Sequence, residues 1–371
     1  MTDEYIEEEL FPEMRKESRL ERKIASRTDR SKYKKSDQDQ KQKHSAKQSL
    51  EENDKLLRGR VLSIKGLDII VDCDGTQHTC VIPGIFKKDR TRKKNLLIVG
   101  DFVLFDPTSK GEGVVRRIEE RHSIFSRADN ISRRREQYIA ANIDQVLITV
   151  SLLKPHLKHS LIDRYIIATL QGNMKPIIII NKIDLLDDED IPSDLRDEER
   201  MLFQEVLKVY HDLNIPIIPI SAETGEGLDK LKVVMSGKAS VFSGQSGVGK
   251  SSLINAATGL DFETNAVVSR TGKGSHTTTS ASLVPLSCGG WCIDTPGISS
   301  FGIWDLKVEN VEAFFEEIHE YGAHCKFSNC SHRHEPDCAV MEAVENEEIS
   351  PLRYGSYCTL IESIEEKHRP R

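Results

Sequence analysis

Hydrophobic positions fall into three regimes along the chain. Between Leu56 and Arg121 they come in short runs, RGRVLSIKG, LDIIVDCDG, QHTCVIPGIF, NLLIVGDFVLF and GVVRRIEER, cut apart by Gly, Asp-Gly and Pro. This spacing predicts several short strands, and strands so close together fit a small barrel of the OB type. From Gln145 the period changes. QVLITVSL, KPIIIINKID, IPIIPIS, KASVFSG, SLVPLS and WCIDTPG read as strands, whereas SLIDRYIIATLQG and DEERMLFQEVLKVYHDL carry helical spacing. Continuous runs such as Ile177 to Ile180 have no polar face, which fits strands covered on both sides in a parallel α/β sheet. After Phe301 the pattern is helical and acidic, interrupted by a cluster of Cys and His.

Residues 1–55 follow neither period. They are poor in aromatic and β-branched side chains, and SDQDQKQKHSAKQS is low-complexity polar sequence. Too little apolar surface is available to offset ordering entropy, so a disordered basic arm is expected, with helical spacing near Met14 to Ile24. Four regions follow: an arm over 1–55, an OB-fold RNA-binding barrel over 56–125, an α/β domain over 126–302 and a metal-binding helical domain over 303–371.

Composition narrows the class. At 371 residues the chain exceeds one ordinary core, and 38% apolar content allows most of it to fold. No apolar run approaches the roughly 20 residues of a membrane span, and MTDEYIEEEL lacks the apolar stretch of a secretion signal. Eight cysteines are too sparse for a disulfide scaffold, so a cytoplasmic location is expected, where clustered Cys and His suggest metal. Membrane, secreted and fibrous classes are thereby excluded.

The net charge of −7 conceals an asymmetry. Arg15 to Lys47 and residues 56–135 are both strongly basic, and the remainder is strongly acidic. A basic front half suggests nucleic acid as a partner. Lys87, Lys88, Arg90, Arg92, Lys93 and Lys94 crowd one predicted loop of the barrel, and Phe86, Phe102 and Phe105 are the few aromatics there. Phosphate and shape contacts are therefore expected ahead of base-by-base reading.

The stretch Gly244-Gln245-Ser246-Gly247-Val248-Gly249-Lys250-Ser251 lies between a predicted strand and a predicted helix that continues through Ser252. Its glycines let backbone N–H groups curl around phosphates at a helix N-terminus. Lys250 supplies charge to the β and γ oxygens, and the Ser251 hydroxyl suits Mg²⁺. The base is read elsewhere. Asn181-Lys182-Ile183-Asp184 ends one predicted strand and Ser221-Ala222 another. Asp184 can accept from guanine N1–H and the 2-amino group, Lys182 lies across the base, and the Ala222 N–H suits guanine O6. Adenine presents the wrong edge and would leave the carboxylate unpaired, at roughly 1–3 kcal/mol.

Asp294-Thr-Pro-Gly297 offers Asp294 to the Mg²⁺ shell and Gly297 as a γ-phosphate-sensing N–H. In His276-Thr277-Thr278-Thr279 a hydroxyl completes the Mg²⁺ shell, with Thr278 favoured over Thr277. Where Ras-like enzymes place a Gln after the Asp-x-x-Gly turn, this chain has Ile298, which cannot hydrogen-bond water. His276 is the best candidate in the sequence to position the attacking water. NKID and SAE here precede the phosphate loop, the reverse of the Ras-like order. A parallel sheet keeps its packing when the chain is cut at one loop and joined at another, so the same site can form.

Cys325, Cys330, His332 and Cys338 lie within 14 residues and fit a closed, structural zinc site. His324 and His334 read as surface histidines, and the other five cysteines read as packed thiols.

With barrel, permuted nucleotide motifs and CKFSNCSHRHEPDCAV in this order, residues 56 to 365 resemble the RsgA (YjeQ) family of circularly permuted GTPases. The resemblance implies an OB barrel, a permuted P-loop domain and a zinc-bearing C-terminal domain. It also implies late maturation of the small ribosomal subunit, with GTP hydrolysis to GDP stimulated by that subunit and timing release. Where the family pattern carries a basic residue before the switch histidine and an Arg after two threonines, this chain has Ser275 and Thr279. A monomer binding the subunit's rRNA is expected. A GTP-dependent rRNA-binding factor with incidental hydrolysis is the alternative.

Overall fold

Strands β1 (Leu57–Lys65), β2 (Asp68–Cys73), β3 (Thr76–Val81), β4 (Phe102–Pro107) and β5 (Glu112–Ile118) close into a barrel in the order β1-β2-β3-β5-β4. The β3–β5 pairing is parallel and the other pairings are antiparallel where a register is defined, the arrangement of an OB barrel. Alternate residues fill the interior: Val61, Ile69, Val71, Val103, Phe105 and Val115. The computed structural model describes residues 56–83, 96–108, 111–128, 136–259, 281–294 and 306–368. The arm, Phe86 and the basic run from Lys87 to Lys94 lie outside the described residues.

A hairpin of β6 (Ile124–Ala128) and β7 (Glu136–Ala141) follows the barrel. The hydrophobic pattern does not single it out, because its strands are short and flank a polar, Arg-rich run. Phe125 and Ala140 nevertheless join the main core. At this junction the Arg60 guanidinium donates to the Asn142 carbonyl and faces the rings of Phe102 and Trp291. Burial lowers its pKa to about 10.

The central sheet contains β8 (Gln145–Ser151), β9 (Lys175–Asn181), β10 (Ile217–Pro219), β11 (Ala239–Gly244), β12 (Ser282–Pro285) and β13 (Trp291–Asp294). Their order is β10-β9-β8-β11-β13-β12, parallel throughout except for β12. Both faces are covered. Val146, Ile148, Ile178, Ile180 and Val241 enter one core, while Leu147, Ile177, Ile179 and Phe242 enter another. Each such side chain contributes about 1.5–3 kcal/mol of burial, so the apolar runs are held as strands by tertiary packing. Helices α1 (His159–Gln171), α2 (Ser193–Asp212), α3 (Leu228–Met235) and α4 (Lys250–Thr258) connect the strands.

The C-terminal part is helical, with α5 (Glu316–Gly322), α6 (Ala339–Glu345) and α7 (Pro351–His368). Phe315, Ile318, Val340, Tyr357 and Ile361 form its core, and Ile167 of α1 is buried in the same cluster. Among the described residues no helix is long and apolar enough to cross a membrane.

Candidate nucleotide and metal sites

Parallel strands bring their C-terminal ends to one edge, and the sequence motifs meet there. Ser151 of β8 pairs with Asn181 of β9, and Thr149 pairs with Gly244 of β11. The loop from Gly244 to Gly249 therefore rises between β11 and α4 directly beside NKID. A Cβ on Gly244 would sit 2.0 Å from the Thr149 carbonyl oxygen, so only glycine allows this close approach.

Lys250 Nζ donates to the carbonyls of Gly244 and Gln245 at 2.9 and 2.8 Å, folded back over the loop it serves. Burial lowers its pKa, which favours exchange of those carbonyls for a phosphate oxyanion. Val248 is buried, Gln245 is half-buried, and Ser246 and Gly247 are exposed. Ser251 and Ser252 occupy the first turn of α4, half-buried and exposed respectively.

Asn181 ties the two halves of the site together. Its Nδ2 donates to the Val248 carbonyl at 2.8 Å, and its Oδ1 accepts from the Ala222 N–H at 3.1 Å. Lys182 adopts a left-handed backbone and opens a 3₁₀ turn, Ile183–Leu186, that carries Asp184. Lys182 Nζ donates to the carbonyls of Lys154 and Gly247, at 2.5 and 2.6 Å. Asp184 Oδ1 is buried and accepts no hydrogen bond among the described residues. Such an orphaned acceptor costs about 1–3 kcal/mol unless a ligand supplies a donor. Ser221 is fully buried, with its Oγ accepting from the Thr224 N–H at 3.1 Å.

Asp294 ends β13 on the same sheet edge. His276, Thr277, Thr278 and Gly297 lie outside the described residues. Lys154 was not singled out by the sequence. It acts through its carbonyl, which no residue-type pattern reveals.

Cys325, Cys330, His332 and Cys338 converge in the C-terminal part, with their donor atoms all within 4.8 Å of one another. Cys325 Sγ lies 3.8 Å from Cys338 Sγ, and His332 Nδ1 lies 3.5 Å from each of those sulfurs. Burial and the neighbouring thiols push the Cys330 thiol up to about 12, so a thiolate there needs a cation in place of the proton. The donor set can hold one metal ion. The opposite His332 nitrogen, Nε2, lies 3.4 Å from Glu312 Oε2, which orients the ring. Glu335 accepts from the backbone N–H groups of Ser331, Arg333 and His334, and hydrogen bonds from Ser331 first and His334 after it hold its carboxyl well below the usual range. Glu312 and Glu335 escape sequence reasoning because acidic residues abound in this region.

Comparisons with known proteins agree with this architecture. Residues 118–304 match the family model described as RsgA GTPase. The chain is 39% identical over 321 residues to the small ribosomal subunit biogenesis GTPase RsgA of Chlorobaculum parvum, covering 84% of this chain and 99% of that protein. It is 37% identical over 318 residues to the protein of the same name from Klebsiella pneumoniae, covering 83% and 84%. The crystal structure of YjeQ from Thermotoga maritima superposes with a TM-score of 0.66 at 32% identity, covering 85% of this chain and 100% of that one. That of YloQ, a circularly permuted GTPase, gives 0.65 at 27%, covering 85% and 97%.

Proposed function

From the premise that this chain belongs to the RsgA family, we propose that it hydrolyses GTP while bound to the small ribosomal subunit and assists that subunit's late maturation. The observation that carries the nucleotide reading is Asp184 Oδ1, a buried acceptor without a donor among the described residues, in the 3₁₀ turn that follows β9. Guanine supplies two N–H donors there and adenine supplies none in that geometry. Asn181 holds the base-reading turn against the phosphate loop. On nucleotide binding Lys250 exchanges two carbonyls for phosphate oxygens, and Ser251 with Asp294 and Thr278 would hold Mg²⁺. When bound there, Mg²⁺ would supply positive charge against the charge developing on the phosphates. His276 is the group assigned to the attacking water.

The metal of the C-terminal cluster is read as one structural zinc. A tetrahedron with bonds of about 2.3 Å to sulfur and about 2.0 Å to nitrogen puts S···S near 3.8 Å and S···N near 3.5 Å. The separations of 3.8 and 3.5 Å agree with it. In this reading residues 56–125 and the arm attract rRNA, 126–302 hydrolyse GTP and 303–371 form the metal domain, in a monomeric cytoplasmic protein.

A turnover assay with and without purified small subunits tests the proposal. Stimulation of about tenfold or more, abolished by Lys250→Ala, is the expected result. Unchanged turnover with GTP-enhanced subunit binding would overturn it in favour of a GTP-dependent binding factor.

A further inference from the structure

Neighbouring residues on α7 grip two different parts of the protein. Tyr354 donates its hydroxyl proton to the His332 carbonyl at 2.8 Å, within the metal cluster. Arg353 instead reaches α1. Its guanidinium donates to Asp163 Oδ1 from one nitrogen and to both oxygens of Glu317, at 2.6 and 3.2 Å, from the other two. Tyr210 of α2 donates to the same Asp163 Oδ1 at 2.8 Å. Arg353 is 4% exposed and Asp163 2% exposed. Burial alone would lower the Arg353 pKa, but the two carboxylates raise it above the ordinary value.

A buried ion cluster of this kind is a poor source of stability compared with apolar packing, because desolvation offsets most of the attraction. Its content is positional. It also has a second arrangement at hand. Two donors crowd onto Asp163 Oδ1, while Oδ2 is buried and accepts no hydrogen bond among the described residues. Arg353 and Glu317 also line a cavity of about 240 Å³, together with Ile166, Leu213, Pro216 and Phe314. The guanidinium therefore has an alternative acceptor on the same carboxylate and open space on its own flank.

Helix α1 continues the connection. The segment Leu152–Lys158 leads from β8 into α1, and within it the Lys154 carbonyl holds Lys182 Nζ, which also holds the Gly247 carbonyl of the phosphate loop. Pro155 stands against the same loop, 3.8 Å from where a Cβ of Gly247 would lie.

We propose that Arg353 is a positioning residue that couples the metal cluster to the nucleotide site, acting through Asp163, α1 and the Lys154–Lys182–Gly247 contacts. Two sites sharing one two-state element influence each other equally in both directions. Disturbing the cluster then changes how tightly Lys182 and the phosphate loop hold guanine nucleotide. The ribosomal part of the inference rests on the function proposed above; the nucleotide part does not.

The test uses the full-length protein. Truncating Arg353 alone would strand two buried carboxylates, so the latch is neutralised as a unit with Arg353→Met, Asp163→Asn and Glu317→Gln. The first readout is the GDP dissociation rate, measured with and without Cys330→Ser in each background. With the latch present, Cys330→Ser is expected to change that rate about fivefold or more, and with the latch neutralised to leave it unaltered. No change in the native background, or an equal change in both, overturns the proposal. The second readout is subunit-stimulated turnover. Basal turnover retained with stimulation lost in the neutralised protein supports it, and full stimulation there overturns it. If the native protein itself shows no stimulation, the function proposed above fails, and the GDP dissociation rates decide the coupling by themselves.

Discussion

Asn181 and Gly249 meet where no β-carbon fits. Gly249 has φ of +90°, and a Cβ placed on it would stand 2.4 Å from Asn181 Nδ2, the atom that donates to the Val248 carbonyl. The base-reading strand end and the phosphate loop are thus one rigid piece, joined by an amide side chain.

Gly249→Ala forces that piece apart. Asn181 must give up its bonds to the Val248 carbonyl and the Ala222 N–H, each worth about 1 kcal/mol, and the left-handed backbone adds strain. GDP and GTP affinity should fall by about tenfold or more, while the melting temperature moves by only a few degrees. Titration with a fluescent guanine nucleotide checks this; unaltered affinity would mean that the loop absorbs the methyl group.

Asp184→Asn should exchange one base for another. The carboxylate suits a base with two adjacent donors, whereas a carboxamide offers one acceptor and one donor. Xanthine, with an oxo group in place of the 2-amino group, matches that pattern. GTP binding is expected to weaken by about 10²-fold, with XTP then bound more tightly than GTP. Competition titrations measure the ratio, and a variant that still prefers GTP would remove Asp184 from base reading.

Cys330→Ser is expected to lose the metal and loosen the chain after about residue 320, because the ligand loop has little core of its own. Elemental analysis should give one zinc per native chain and less in the variant. Acid should have the same effect. The Cys330 thiol pKa is pushed up by burial, so protons compete strongly with metal, and affinity falls as pH is lowered. A variant that keeps both metal and protease resistance contradicts this.

His276→Ala should retain GTP binding and subunit binding while losing about 10²-fold or more of stimulated turnover. Its physical basis is Ile298, whose side chain cannot orient water. Single-turnover hydrolysis on the subunit provides the measurement. Wild-type hydrolysis by the variant would assign the water to another group.

Strand positions were legible because packing enforces them. Ile177 to Ile180 can be satisfied only with both faces covered, and β9 is placed that way. The phosphate loop was legible because glycine, lysine and serine act there by type. What escaped acts by placement. Asp163 sits in SLIDRYIIATLQ with Ile166 and Ile167 three and four residues on, so its helical face is apolar, and a carboxylate in that register could have been read as a buried partner seeking a cation. Nothing in the sequence names Arg353 as that cation, since basic residues on helices usually face water. The hairpin β6–β7 escaped for a related reason: its burial depends on the neighbouring core rather than on its own alternation.

The strand order also sets a timetable for synthesis. All seven residues of β8 are buried, and its flank opposite β9 is covered by β11. On the growing chain β9 and β10 follow soon after β8, but β11 arrives only after residues 152–238 have been made. For on the order of 10 s a strand whose every residue is buried in the finished sheet therefore has an unpaired edge. The nascent protein carries a complete base-reading half before any phosphate-holding half exists, and this interval is when it is most exposed to faulty strand pairing.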